Sequence, residues 1–330
     1  MGVEVVVVGA GIIGLSTAVA IQQRTPSVRV TIVADKFGRD TTSIGAGGIF
    51  APTAVGIDEK TSHLWASEGA KHFFDLGFSA ESGTSGVNLI TGFELMNTDK
   101  KKPWFQYMPF VAKMTPELLQ RFAPYYKYGF VYTTVIVEGP KYLPWLMKRF
   151  KENGGKVVEQ KISSFEELSG VYDLVVNCTG LGSRGLASDT DLHPVRGQLI
   201  RLTAPWIKHF VHTDDSKYIM PASETVAVGG EKQPNRTDMA PLASDHHAAW
   251  NSLRDRFPAL EGSKVLYDWV GLRPQRSKVR LEKEMLNFNG KRLQVIHNYG
   301  HGAFGISLSW GTAVHVSKLV EDIVRPVSKL

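Results

Sequence analysis

Residues Val3 to Val8 form a β-branched run broken only by Glu4, the pattern of a parallel strand covered on both faces. Gly9, Ala10, Gly11, Ile12, Ile13 and Gly14 follow. Leu15 to Arg24 then reads as a helix, and Arg29 to Val33 as a second strand placed just ahead of Asp35. Further along, Phe130 to Val137, Gln198 to Leu202 and Thr225 to Gly229 read as strands parted by turns, a mixed and largely antiparallel region. Tyr142 to Glu152 reads as a helix between them. Asp173 to Asn177 and Leu293 to His297 are further strands, and beyond them Val316, Leu319, Val320 and Ile323 make the apolar stripe of a long helix. The order predicts an α/β fold of mixed α+β character, a Rossmann-like dinucleotide domain interleaved with a domain on a mixed, largely antiparallel sheet. Residues 1–50, 142–190 and 290–330 are assigned to the first, and 51–141 and 191–289 to the second.

The first segment has the grammar strand, Gly-x-Gly-x-x-Gly, helix, strand, acid. Gly9 permits the tight turn, Gly11 lets backbone approach a pyrophosphate, and Gly14 lets the helix sit close on the strand. The phosphates would lie at the helix N-terminus, where free N–H groups and the macrodipole favour negative charge. Asp35, 21 residues past Gly14, stands where a carboxylate accepts hydrogen bonds from a ribose diol. This fingerprint serves NAD and FAD alike. Thr41, Thr42 and Ser43, then Gly45, Ala46, Gly47, Gly48 and Ile49, are too polar and glycine-rich for a core strand; they suit backbone running along an extended cofactor, with hydroxyls for phosphate oxygens. A plain flexible loop is the alternative. Asn298 to Gly305 makes a second glycine-rich approach to a helix N-terminus, whose positive pole could face the pyrimidine side of a flavin. An NAD enzyme has no such requirement.

Composition narrows the classes further. At 330 residues the chain has room for about two domains, and 43% hydrophobic against 21% charged residues is an ordinary globular balance. Cys178, the single cysteine, forms no internal disulfide. The net charge of +6 is spread thinly; its one dense run, Lys100 to Lys102, reads as a solvated loop, so nucleic-acid binding is not expected. Val5 to Gln23 carries no charge, yet glycines, Ser16 and Thr17 divide it and Glu4 precedes it, so neither a signal peptide nor a membrane span is expected. Among the pairs His297/His301 and His209/His212, the first straddles a strand and a glycine turn, presents no single helical face and has no carboxylate pattern, and no metal is expected. Arg273 differs. In Val270-Gly271-Leu272-Arg273-Pro274 it occupies an apolar strand read as stopping at the proline, where its planar fork must either pair within the protein or reach a pocket and hold a carboxylate.

The stretch VIHNYGHGAFGISLSWGTA, Val295 to Ala313, resembles the C-terminal signature of the D-amino-acid oxidase family. VGAGIIGLSTA, DKFGRDTTS, VNCTGLGSR, PVRGQ and VGLRP resemble it too, in the family's order, so the likeness spans essentially the whole chain. It implies an FAD-binding domain, a substrate domain, and oxidative deamination of a D-amino acid by dioxygen to a 2-oxo acid, ammonia and hydrogen peroxide. By this resemblance Arg273 holds the substrate α-carboxylate, Tyr218 donates its hydroxyl to the same group, and the backbone at Ala303 meets the amine. The flavin falls to Gly9, Ala10, Gly11, Ile12, Ile13, Gly14, Asp35, Lys36, Thr41, Thr42, Ser43, Gly47, Gly48, Ile49, Ile162, Gly302, Ala303, Phe304, Gly305, Ile306 and Ser307. Members acting on acidic substrates carry cations near the substrate side chain, here Lys232 and, less closely matched, His212. With a short segment from Thr213 to Tyr218, they imply D-aspartate, and also D-glutamate, rather than neutral D-amino acids. Ser328-Lys329-Leu330 matches the peroxisomal address that an import receptor reads at a free C-terminus.

Overall fold

The computed structural model describes residues 2–324, so Ser328, Lys329 and Leu330 lie outside the described residues. Five helices of eight or more residues are described: α1 (Ile12–Arg24), α2 (Glu59–Gly77), α3 (Gly139–Glu152), α4 (Ala243–Arg254) and α5 (Gly305–Val324). The strands, in chain order, are β1 (Glu4–Val8), β2 (Arg29–Ala34), β3 (Val87–Met96), β4 (Phe110–Lys113), β5 (Tyr128–Val137), β6 (Lys156–Glu159) and β7 (Leu174–Asn177). They continue with β8 (His193–Thr203), β9 (Phe210–Thr213), β10 (Tyr218–Pro221), β11 (Val226–Gly229), β12 (Gln233–Pro234), β13 (Lys264–Phe288) and β14 (Lys291–His301).

Among the described residues these strands form one sheet in the order β4-β5-β3-β9-β10-β11-β8-β13-β14-β7-β1-β2-β6, with β12 on β8. Its β14-β7-β1-β2-β6 end is parallel. The rest is antiparallel apart from the β3–β9 pair. Val5, Val6 and Val7 are fully buried, Val5 and Val7 in the core shared with Leu15, Val19 and Val316 and Val6 on the other face against Phe165, Leu168 and Leu293, and each such aliphatic side chain contributes about 1.5–3 kcal/mol. The largely apolar α1, charged only at its terminal Arg24, packs against α3 and α5 as well as the sheet. No described helix is long and apolar enough to cross a membrane.

Two expectations change. The first helix begins at Ile12 rather than Leu15, because Gly11 itself is the N-cap and the chain turns helical directly behind it. The strand bearing Arg273 does not stop at Pro274. It runs on to Phe288, since Pro274 lies opposite Pro194 of β8, so the two residues lacking N–H donors share one rung, and β13 then shifts register to pair with β14.

Candidate active site

One cavity of about 2170 Å³ runs from the C-terminal end of β1 to the β10–β11–β13 surface, too large for a lone small metabolite. Every residue predicted for the cofactor lines it except Gly14. The three glycines do different jobs. Gly9 has φ +111° and gives its N–H to Val33 O at 2.9 Å; a Cβ there would lie 2.5 Å from Cys178 O. At Gly14 a Cβ would sit 1.9 Å from Gly9 O, so this glycine serves helix–strand contact and not the cavity. Gly11 is the open one: an added Cβ meets only Ser43 Oγ, at 3.4 Å. That bare backbone at the helix N-cap is the cradle a pyrophosphate requires, and FAD fits it.

The Thr41–Ile49 segment is ordered by the protein itself: the 3₁₀ turn Gly38–Asp40 leads into it and a second, Thr42–Gly45, lies within it. Each of its three hydroxyls has a partner within the protein. Thr41 donates to Gly38 O at 2.8 Å and Thr42 to Leu272 O at 3.2 Å, while Ser43 Oγ accepts the Ile12 N–H at 3.1 Å. Arg201 Nη2 donates to the carbonyls of Gly45 and Ala46, both at 3.2 Å, and Ser307 Oγ accepts from Ala51 N–H and donates to Ile49 O. The segment is thus pinned between β8, β13 and α5.

Arg273, Tyr218, Lys232, His212 and Ala303 all line the same cavity. Arg273 Nη1 donates to the carbonyls of Arg196 and Glu231, at 3.4 and 3.3 Å. No described carboxylate pairs with it, which removes the structural ion pair as an explanation. Gly197 makes its room, since a Cβ there would come within 2.3 Å of the guanidinium. Gly229 does the same for Tyr218, whose hydroxyl would lie 2.8 Å from a Cβ. Burial lifts the Tyr218 phenol above its ordinary pKa, against the pull of Arg273 and Arg201, so it remains an O–H donor. Lys232 is lowered by desolvation and then by Arg273, and no described anion offsets either. Ala303 is exposed on the 3₁₀ turn Gly302–Phe304, while burial holds His301 behind it neutral, its pKa pushed down to about 3. No described group of three or more His, Cys, Asp or Glu could hold a metal ion.

The sequence reading missed Glu94 and Lys102. Glu94 on β3 is fully buried, with Lys102 Nζ 3.1 Å from Oε1 and His212 Nδ1 2.9 Å from Oε2. Lys102 is therefore not the solvated residue its lysine run suggested; Lys102 also lines the cavity. A charged residue inside the apolar Phe93-Glu94-Leu95-Met96 run was the available signal.

Fold and cavity together have the form of a dinucleotide-binding oxidoreductase. Residues 4–319 match the family of FAD dependent oxidoreductases, and the chain belongs to it. It is 41% identical to D-aspartate oxidase of Homo sapiens, covering 98% of this chain and 96% of that protein. It is 36% identical to D-amino acid oxidase of Dugesia ryukyuensis, covering 97% and 98%. Glycine oxidase of Bacillus cereus ATCC 14579 shares the fold, with a TM-score of 0.75 over 97% of this chain and 95% of that one at 20% identity.

Proposed function

We propose that this chain oxidises acidic D-amino acids, D-aspartate and also D-glutamate, with FAD and dioxygen, giving 2-oxo acid, ammonia and hydrogen peroxide. One observation carries the reading: Arg273 and Lys232 stand at the same end of the cavity and neither has a carboxylate partner among the described residues. Two uncompensated cations suit a ligand with two carboxylates. Relatives named for D-aspartate and D-amino-acid oxidation support the chemistry.

In this reading the Arg273 fork and the Tyr218 hydroxyl hold the α-carboxylate, and the Ala303 carbonyl accepts from the amine. Lys232 takes the side-chain carboxylate. Bound in the Gly11 cradle, FAD supplies a two-electron acceptor that dioxygen regenerates. The polypeptide contributes alignment rather than an acid or base at the α-carbon, since three fixed contacts leave one C–H direction. Gly9, Ala10, Ile12 and Ile13 line the pyrophosphate end, Asp35 and Lys36 the ribose, and Gly302 to Ser307 the ring end. Ile162 borders the cofactor near Asp35.

Lys232→Met should lower kcat/KM for D-aspartate about 10- to 100-fold while leaving D-alanine nearly unchanged, because only the first loses a charged hydrogen bond. Peroxide release from a panel of D- and L-amino acids measures this. Equal losses on both substrates exclude Lys232 from specificity. The Glu94–His212 contact favours a second reading, a neutral-substrate oxidase, since it occupies the other predicted cation; a parent enzyme faster on D-alanine than on D-aspartate selects it.

Where Ser328-Lys329-Leu330 is the free C-terminus of the protein, the same reading places the enzyme in the peroxisome through its import receptor. Deleting Leu330 should then turn punctate fluorescence of an N-terminally tagged chain diffuse; unchanged puncta discard the address.

A further inference from the structure

Glu94, His212 and Tyr218 stand in one lateral row across β3, β9 and β10, with Glu94 opposite His212 and His212 opposite Tyr218. Residues so paired share a face of the sheet. The Cα of Glu94 is therefore about 10 Å from that of Tyr218, two strand spacings of about 4.8 Å. On the other side of Tyr218, its hydroxyl leans over Gly229 toward the β8–β13 surface that carries Arg273. The cavity wall thus has two flanks, one with Arg273 and Lys232, the other with His212, Glu94 and Lys102.

The second flank holds two basic side chains, yet neither is free. Glu94 is 0% exposed and would be prohibitive to bury alone, so Lys102, 27% exposed, compensates it. His212, 30% exposed, directs Nδ1 at the same carboxylate. A carboxylate accepts there, so Nδ1 is the donor, and that N–H is spent on Glu94 rather than on a ligand.

We propose that Glu94 and Lys102 are specificity-determining residues: their charges cancel, so that the distal carboxylate of a dicarboxylic ligand is drawn to Lys232, which has no carboxylate partner among the described residues. The proposal rests on the acidic-substrate reading above and assigns His212 the role of wall rather than cation.

The consequence is a gain. Glu94→Gln keeps shape and removes the anion, which unmasks Lys102 beside the substrate. A unit charge at this range changes the affinity of an added carboxylate by about 3- to 10-fold. Succinate, a dicarboxylate, and butyrate, its monocarboxylate counterpart, are titrated into each oxidised holoenzyme and followed by the flavin visible spectrum. Glu94→Gln is expected to tighten succinate relative to butyrate by that factor, and Glu94→Gln/Lys102→Met to lose the gain. Lys102→Met alone is expected to bind succinate no more tightly than the parent. A merely structural role for Glu94 would loosen both ligands together, and that result overturns the proposal. So does a gain that survives in the double variant. Lys232→Met separates the failures: if it leaves succinate binding untouched, the acidic-substrate reading falls, whereas a missing gain in Glu94→Gln with Lys232 intact in its role removes only this assignment.

Discussion

Arg273→Ala is expected to lower kcat/KM for the best D-amino acid by roughly a hundred- to a few-thousand-fold, the range of removing one member of a buried charged pair. The side chain has few structural duties to lose. Its hydrogen bonds within the protein are two long ones to the carbonyls of Arg196 and Glu231, and it interacts unfavourably with Lys232. Melting temperature and flavin content should therefore stay near those of the parent, which isolates the loss to the substrate. Tyr218 remains in the variant, but a single neutral hydroxyl cannot align the ligand in two directions. Steady-state oxidation with flavin content measured on the same sample checks this. A variant that oxidises its best substrate as readily as the parent leaves the carboxylate without its anchor and removes the alignment argument.

How far this could be read from the chain follows from how local each signal is. The β1 run and the glycine turn are legible because strand, turn and helix follow one another within about two dozen residues, although what covers them, Cys178, Ser43, α3 and α5, comes from distant segments. Arg273 is legible as a misplaced charge in an apolar strand, although its strand's length is not: β13 extends past Pro274 because β8 offers Pro194 opposite and β14 takes over the pairing, facts held by other segments. The same is true of Lys102. Three consecutive lysines look equivalent until β3, more than five residues upstream, presents Glu94 to one of them. His212 was read as a cation from its place beside Phe210, and the neighbour that occupies it, Glu94, is 118 positions away. The backbone acceptors of Thr41 and Thr42, Gly38 O and Leu272 O, are likewise visible only once the chain is folded.

The second large effect separates cofactor binding from folding within one glycine motif. Gly11 has φ −74° and ψ −179°, backbone that any L-residue adopts, and its Cβ direction opens into the cavity with only Ser43 Oγ near. Gly11→Val should therefore fold, at a cost of about 1 kcal/mol for a branched residue at an N-cap. Its methyl groups would occupy the place where backbone must approach the pyrophosphate, and the purified protein should be nearly colourless and inactive. Gly14→Ala makes the opposite prediction. Its Cβ would be driven against the Gly9 carbonyl, so α1 must lift from β1 and the buried Val5–Val8 strand loses its cover, giving insoluble or strongly destabilised protein. Visible absorbance per mole of protein and a thermal melt distinguish the two. Full flavin content in Gly11→Val would mean that the cofactor does not pass over this glycine, and the assignment of the cradle at the N-terminus of α1 would have to be abandoned.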